Sequence, residues 1–258
     1  MKTPLLTGLF LVAVPVLSAQ TLFTDSFDSL GAFETIADSG GTVAIQTDTG
    51  NVFGGGMSNS YLEISEPTDV GSGVMVARNE AAFGPQDGVA FSFDLFDASG
   101  ASSNNFYFRI GNGTLGSGER WDVVFNDGTV SVGGGVADNF AYTQDTVNGF
   151  TFVFNSGASA FDWDGTSVAP QTYNAYLNGS LAFTGAAGTT STGNAAPIDA
   201  YSWLMIAGQG GADGYWVDNF SATVAPVPEA STFGLFAGIL ALGLTVLRRR
   251  KAKKSLQL

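Results

Sequence analysis

Phenylalanine recurs at every second position in separate stretches of this chain. Phe91, Phe93 and Leu95 make one series, Phe106, Phe108 and Ile110 another, and Phe150, Phe152 and Phe154 a third. A period of two puts each series on one face of an extended strand. Such faces need a common dry interior, and two sheets packed face to face supply one. The spacing therefore predicts an all-β, antiparallel, two-sheet sandwich.

Strand-forming runs occupy 42–48, 61–65, 74–78, 89–96, 105–111, 121–126, 129–133, 149–155, 172–178, 180–185, 202–207 and 215–224. Asn126-Asp127-Gly128 and Asn178-Gly179 separate neighbouring runs, and these residues tolerate the positive φ of tight hairpins. Gly/Ser/Thr-rich stretches at 54–60, 98–104 and 185–196 read as loops. No helix longer than a turn is expected before residue 231.

The ends have a different composition. Lys2, an apolar run from Leu5 to Leu17 and the small pair Ser18-Ala19 read as a secretory signal over 1–19. Residues 20–225 are then the exported domain. Ala225-Pro226-Val227-Pro228 reads as a stiff linker, and 226–258 as a tail. In the tail, about 232–247 forms an apolar stretch just long enough to cross a bilayer, followed by a basic cluster over 248–254. Basic residues stay on the cytoplasmic side, so the large domain faces outward.

Charge and missing residue types exclude several chemistries. Residues 20–225 hold three arginines, no lysine and 22 of the 23 acids, a balance of −19. Nucleic acid is not expected as a partner, because phosphates need a basic surface. The chain has no Cys and no His. Disulfides, thiolate or imidazole metal sites and a Ser-His-Asp triad are thus ruled out.

The tail carries a family resemblance. Pro228-Glu229-Ala230, the apolar stretch and Arg248, Arg249 and Arg250 resemble a PEP-CTERM sorting signal, with alanine at the second proline position. The resemblance implies processing by an exosortase-type membrane enzyme and delivery to the cell surface or extracellular matrix. Many such proteins accompany exopolysaccharide production.

The exported domain resembles the concanavalin A-like, laminin-G-like jelly roll. Three passages carry this: LFTDSFDSL (22–30), YNAYLNGSLAFTG (173–185) and YWVDNFSATV (215–224). A galactose-binding-type jelly roll is the alternative. Retaining glycosidases of the first fold carry Glu-x-Asp-x-Glu on one strand. No such run exists here, and Glu63 and Glu66 fall on opposite faces of their run. The expected role is therefore non-catalytic: binding or organising extracellular polysaccharide. A purely structural or adhesive role without a specific ligand is the alternative, and a carbohydrate-active enzyme a third.

Specific residues follow from these readings. Asp25 and Asp28 near the start, with Asp218 and Asn219 in the closing strand, offer oxygens for one structural Ca²⁺. Trp163, flanked by Asp162 and Asp164, is the leading aromatic for stacking on a sugar ring. Tyr142, Tyr173 and Tyr201 are further aromatics near loops, while Trp121, Trp203 and Trp216 are expected in the core.

Overall fold

The computed structural model describes residues 20–30, 33–37, 41–66, 74–79, 82–99, 105–112, 119–131, 139–187, 196–206 and 213–225. The proposed signal over 1–19 and the sorting tail over 226–258 lie outside them. Among the described residues there is no helix, and none long and apolar enough to cross a membrane.

In chain order the strands are β1 (Gln20–Asp25), β2 (Glu34–Ala37), β3 (Thr42–Thr47), β4 (Ser60–Glu66), β5 (Val74–Asn79) and β6 (Gly88–Asp97). Then come β7 (Asn105–Gly111), β8 (Glu119–Asn126), β9 (Thr129–Ser131), β10 (Asn139–Ala141), β11 (Val147–Asn155) and β12 (Phe161–Trp163). The last five are β13 (Thr166–Val168), β14 (Thr172–Leu177), β15 (Ser180–Ala187), β16 (Ala200–Ile206) and β17 (Asp213–Val224). All pairings are antiparallel.

The larger sheet runs β15-β14-β11-β6-β17-β4-β3, with β1 also on β17; the smaller runs β10-β9-β8-β7-β16-β5-β2. Between β4 and β7 the chain alternates between the sheets, so sequence neighbours face each other across the core. This is a jelly-roll sandwich, as expected. The first and last strands, β1 and β17, pair with each other.

The three Phe series meet inside. Phe91, Phe93, Phe106, Phe108, Phe150, Phe152 and Phe154 are all buried. Phe93 of one sheet meets Trp203 of the other edge-on at 4.7 Å, and Phe108 at 5.3 Å. Aromatic pairs prefer such edge-to-face contacts, which add to their apolar burial. Trp121 and Trp203 are core residues, as the sequence indicated.

Both expected hairpin turns form. Asp127 and Gly128 have φ 44° and 75°, and Asn178 and Gly179 have 49° and 74°. Paired positive φ values match the right-handed twist of the flanking strands. A third turn of this kind, Asp164-Gly165 with φ 46° and 73°, closes the β12–β13 ribbon. This segment reads from sequence as a loop. Strands only three residues long, broken by Asp and Gly, leave too little alternation to identify.

One buried carboxylate couples the ends of several strands. Asp97 is 1% exposed; its Oδ2 accepts from Tyr142 Oη at 2.5 Å and from the Gly128 amide at 3.3 Å. Among the described residues its Oδ1 makes no hydrogen bond of ordinary geometry, although the Gln144 side chain lies near enough to favour the charged form. Burial pushes the Asp97 carboxyl above its ordinary value of 3.8, against the lowering effect of its hydrogen bonds. The folded state therefore holds the proton more tightly than the unfolded chain does. That stabilisation is complete below about 3.8 and is lost as pH rises through the higher folded value. Asp97→Asn keeps an acceptor for Tyr142 and is expected to flatten this dependence. Melting curves at pH 4 and pH 7 should show a smaller difference for the variant than for the parent; an unchanged difference would remove Asp97 as its source.

Candidate functional site

Alternation along the larger sheet sets its outer face. On β6, Phe93 and Leu95 point in, so Asp94 and Phe96 point out and are partly exposed. On β4, Leu62 and Ile64 point in, leaving Tyr61 and Glu63 outside. On β17, Tyr215 and Val217 are buried, so Trp216 faces outward and is partly exposed. The registers Trp216↔Phe96 and Trp216↔Glu63 align these positions across three adjacent strands.

The outward rings form a continuous row. Phe96 stacks on Trp216 at 4.7 Å with 15° between planes. Trp216 lies 5.1 Å from Tyr61, and Tyr61 lies 5.7 Å from Phe53. Phe53 belongs to the loop between β3 and β4. Asp48, 1% exposed, accepts the amides of Val52 and Phe53, each at 2.8 Å, which pins the loop against the sheet. Four partly exposed aromatic rings, each in contact with the next, make this side of the sheet the candidate interaction face.

Carboxylates and amides flank the row. Asn219 breaks the β17 ladder with φ 51°, where the register to β6 shifts. From there its side chain donates to Asp94 Oδ2 at 2.8 Å, and its amide to Asp218 Oδ1 at 2.7 Å. Asn59 donates to Asp218 Oδ2 at 2.5 Å. Burial pushes the Asp218 carboxyl up, its hydrogen bonds oppose this, and the Asp94 and Asp48 charges push further. At 1% exposure Asp218 positions its neighbours rather than meeting a ligand, whereas Asp94 and Glu63 are reachable. Glu63 accepts from Ser65 Oγ at 2.8 Å. Gln46 on β3 stands opposite Tyr61 and extends the polar margin.

The sequence candidates are distributed differently. Trp216, expected in the core, lies on the surface row, because β17 alternates and Tyr215 takes the inner position. Tyr142, Tyr173 and Tyr201, considered for sugar stacking, are at most 8% exposed and belong to the core. Trp163 packs partly buried on a satellite cluster with Phe161, Val168 and Tyr176, while Asp162 and Asp164 are exposed on the hairpin.

Asp25, Asp28, Asp218 and Asn219 do not converge on one face. Asp25 stands opposite inward-facing Phe220 and accepts the Phe27 amide at 2.7 Å. Phe27, itself fully buried, is thereby turned into the core at φ 53°. Asp28 lies past the end of β1 and accepts from Ser26 Oγ. Asp218 and Asn219 turn outward to Asp94 and Asn59. Among the described residues, no group of three or more Asp or Glu is arranged to hold a metal ion.

No family model and no curated protein matches the sequence. Solved structures do match in fold. The "Cellulose induced protein, Cip1" superposes with TM-score 0.52 at 15% identity, over 78% of this chain and 96% of that one. The T. cruzi calreticulin globular domain gives 0.48 at 11% identity, over 89% and 99%. A carbohydrate esterase from a Shiga toxin-encoding bacteriophage gives 0.48 at 12% identity, over 80% and 99%. A glycoside hydrolase family 131 catalytic domain from Coprinopsis cinerea and alginate lyases are also similar. These likenesses correct the expectation of a non-catalytic chain. Absence of the Glu-x-Asp-x-Glu run removes one arrangement of catalytic groups and leaves others open.

Proposed function

We propose that this protein engages extracellular polysaccharide through the outer face of its larger sheet. The row Phe96–Trp216–Tyr61–Phe53 carries the proposal. Pyranose rings present apolar C–H faces that stack on such rings, and their hydroxyls seek the acceptors that Asp94, Glu63 and Gln46 provide alongside. A similar fold belongs to a protein whose name points to cellulose. That agrees with a polysaccharide partner. Trp163 and its two aspartates lie on the β12–β13 hairpin and are not part of this row.

The test is a panel of polysaccharides titrated into the full chain in mild detergent, with reducing ends measured in the same tubes. Saturable binding to at least one glycan is the expected result. No binding across the panel would leave the adhesive or structural role. Release of reducing ends would add catalysis, with Asp94 and Glu63 as the reachable carboxylates to substitute next.

The sorting reading belongs to the same proposal. Export by residues 1–19 and transient anchoring by 232–247 would present this face outside the cell. An exosortase-type enzyme would then act at Pro228-Glu229. Cell fractionation tests it: replacing Arg248, Arg249 and Arg250 by alanine is expected to change the protein's final location. An unaltered distribution would reject the sorting signal.

A further inference from the structure

The charge on the proposed polysaccharide face is of one sign. Asp94 and Glu63 flank the aromatic row, with buried Asp218 and Asp48 beneath it. No strand of the larger sheet contains a Lys or Arg. All three arginines of residues 20–225 lie on strands of the smaller sheet. There Arg78 pairs with Glu34 at 2.7 Å, and Arg109 with Asp122 at 3.3 Å. Asp94, Glu63 and Asp218 accept hydrogen bonds from the neutral donors Asn219, Ser65 and Asn59, and among the described residues no cation on their own sheet compensates these charges.

A polymer of uronic acids or sulfated sugars would bring like charge to this face and be repelled. A neutral glycan would use the rings and leave the carboxylates with only hydroxyl partners. A chain with protonated amines would use both. The ammonium groups pair with Asp94 and Glu63, and an indole face such as that of Trp216 attracts cations more strongly than other rings.

We infer that the face selects an amine-bearing polysaccharide, a chain of hexosamines with free amino groups, over neutral and anionic chains. The inference rests on the polysaccharide reading above and adds the chemical class of the ligand.

The test compares four hexamers of equal length against the full chain: glucosamine, its N-acetylated form, glucose and a uronic acid. The buffer is mildly acidic, so the amines are protonated. Binding of the glucosamine hexamer about tenfold tighter than the neutral ones, and weakening with added salt, is expected for two ion pairs at a partly exposed site. Glu63→Gln combined with Asp94→Asn should abolish the preference, so that the glucosamine hexamer binds no more tightly than the neutral ones. Asp87→Asn with Asp127→Asn removes the same charge from exposed positions outside the row and should preserve the preference.

Equal affinity for amine-bearing and neutral chains would overturn the inference and leave the polysaccharide reading standing. Loss of the preference in both double variants would overturn it too, because net charge alone would then be responsible. Failure of all four hexamers, together with the polysaccharide panel, would overturn the underlying reading.

Discussion

Replacing Trp216 by alanine is expected to weaken polysaccharide binding about thirtyfold while the fold persists. Central aromatic anchors typically contribute at least about 2 kcal/mol to an interface, which corresponds to that factor. Trp216 is central here: it touches both Phe96 and Tyr61, and it stands opposite Phe96 and Glu63 on its two neighbouring strands. Its partial exposure limits the structural loss, because truncation opens no closed cavity. The expected cost is about 1 kcal/mol, a shift in the melting midpoint of a few degrees. Calorimetric titration with the tightest-binding hexamer and a thermal melt check both halves. Unchanged affinity in a folded variant would remove the ring row as the binding surface.

Phe93→Ala should behave in the opposite way. Phe93 is 2% exposed and lies within 6.3 Å, centroid to centroid, of Phe108, Phe125, Phe150, Phe152, Trp203 and Phe220. Deleting a ring from such a core costs about 3–5 kcal/mol, part transfer free energy and part cavity. Domains have about 5–15 kcal/mol in total, so the variant should lose a large share of its stability. Chemical denaturation provides the check. Phe96→Ala, three residues along and on the opposite face, is the paired control. It should lose about 1 kcal/mol of stability yet weaken glycan binding. Equal destabilisation by both substitutions would contradict the assigned faces.

Raised carboxyls add a pH signature to these measurements. Asp25, Asp97 and Asp218 are each pushed above the ordinary aspartate value, chiefly by burial. Each therefore contributes stability that is present at low pH and lost as pH rises through its folded value. Asp145, lowered by its Ser99 hydrogen bonds, works in the opposite sense. Glycan affinities of variants are for this reason best compared at one fixed pH.

Part of the candidate site was legible from parity. Once Tyr215 and Val217 were inner residues, Trp216 had to be an outer one; the same holds for Tyr61 beside Leu62, and for Phe96 after Leu95. Counting a tryptophan in a strand as core overlooked that only alternate strand positions are buried. In the sequence, the aspartates on either side of Trp163 point to an exposed ring. Those aspartates are exposed, but the ring itself packs partly on Phe161, Val168 and Tyr176. Asp25 with Asp218 was a pairing by strand adjacency, and the adjacency is real. The β17 irregularity at Asn219 lies between the two positions, and they end on different sides of the sheet.

The sequence alone determined what rests on local chemistry. Period-two burial of Phe required two facing sheets. Asp-Gly and Asn-Gly pairs required tight hairpins. The absence of His and Cys removed whole classes of catalysis, and nearly all acids were segregated from the terminal cations. Tertiary structure decided what depends on contacts between distant residues. Phe96 and Trp216 are neighbours only because β17 inserts between β6 and β4, and Phe53 joins them only because Asp48 pins its loop. No local preference encodes which strand lies beside which. That order comes from burying all the apolar faces at once, and it turned four scattered aromatic residues into one surface.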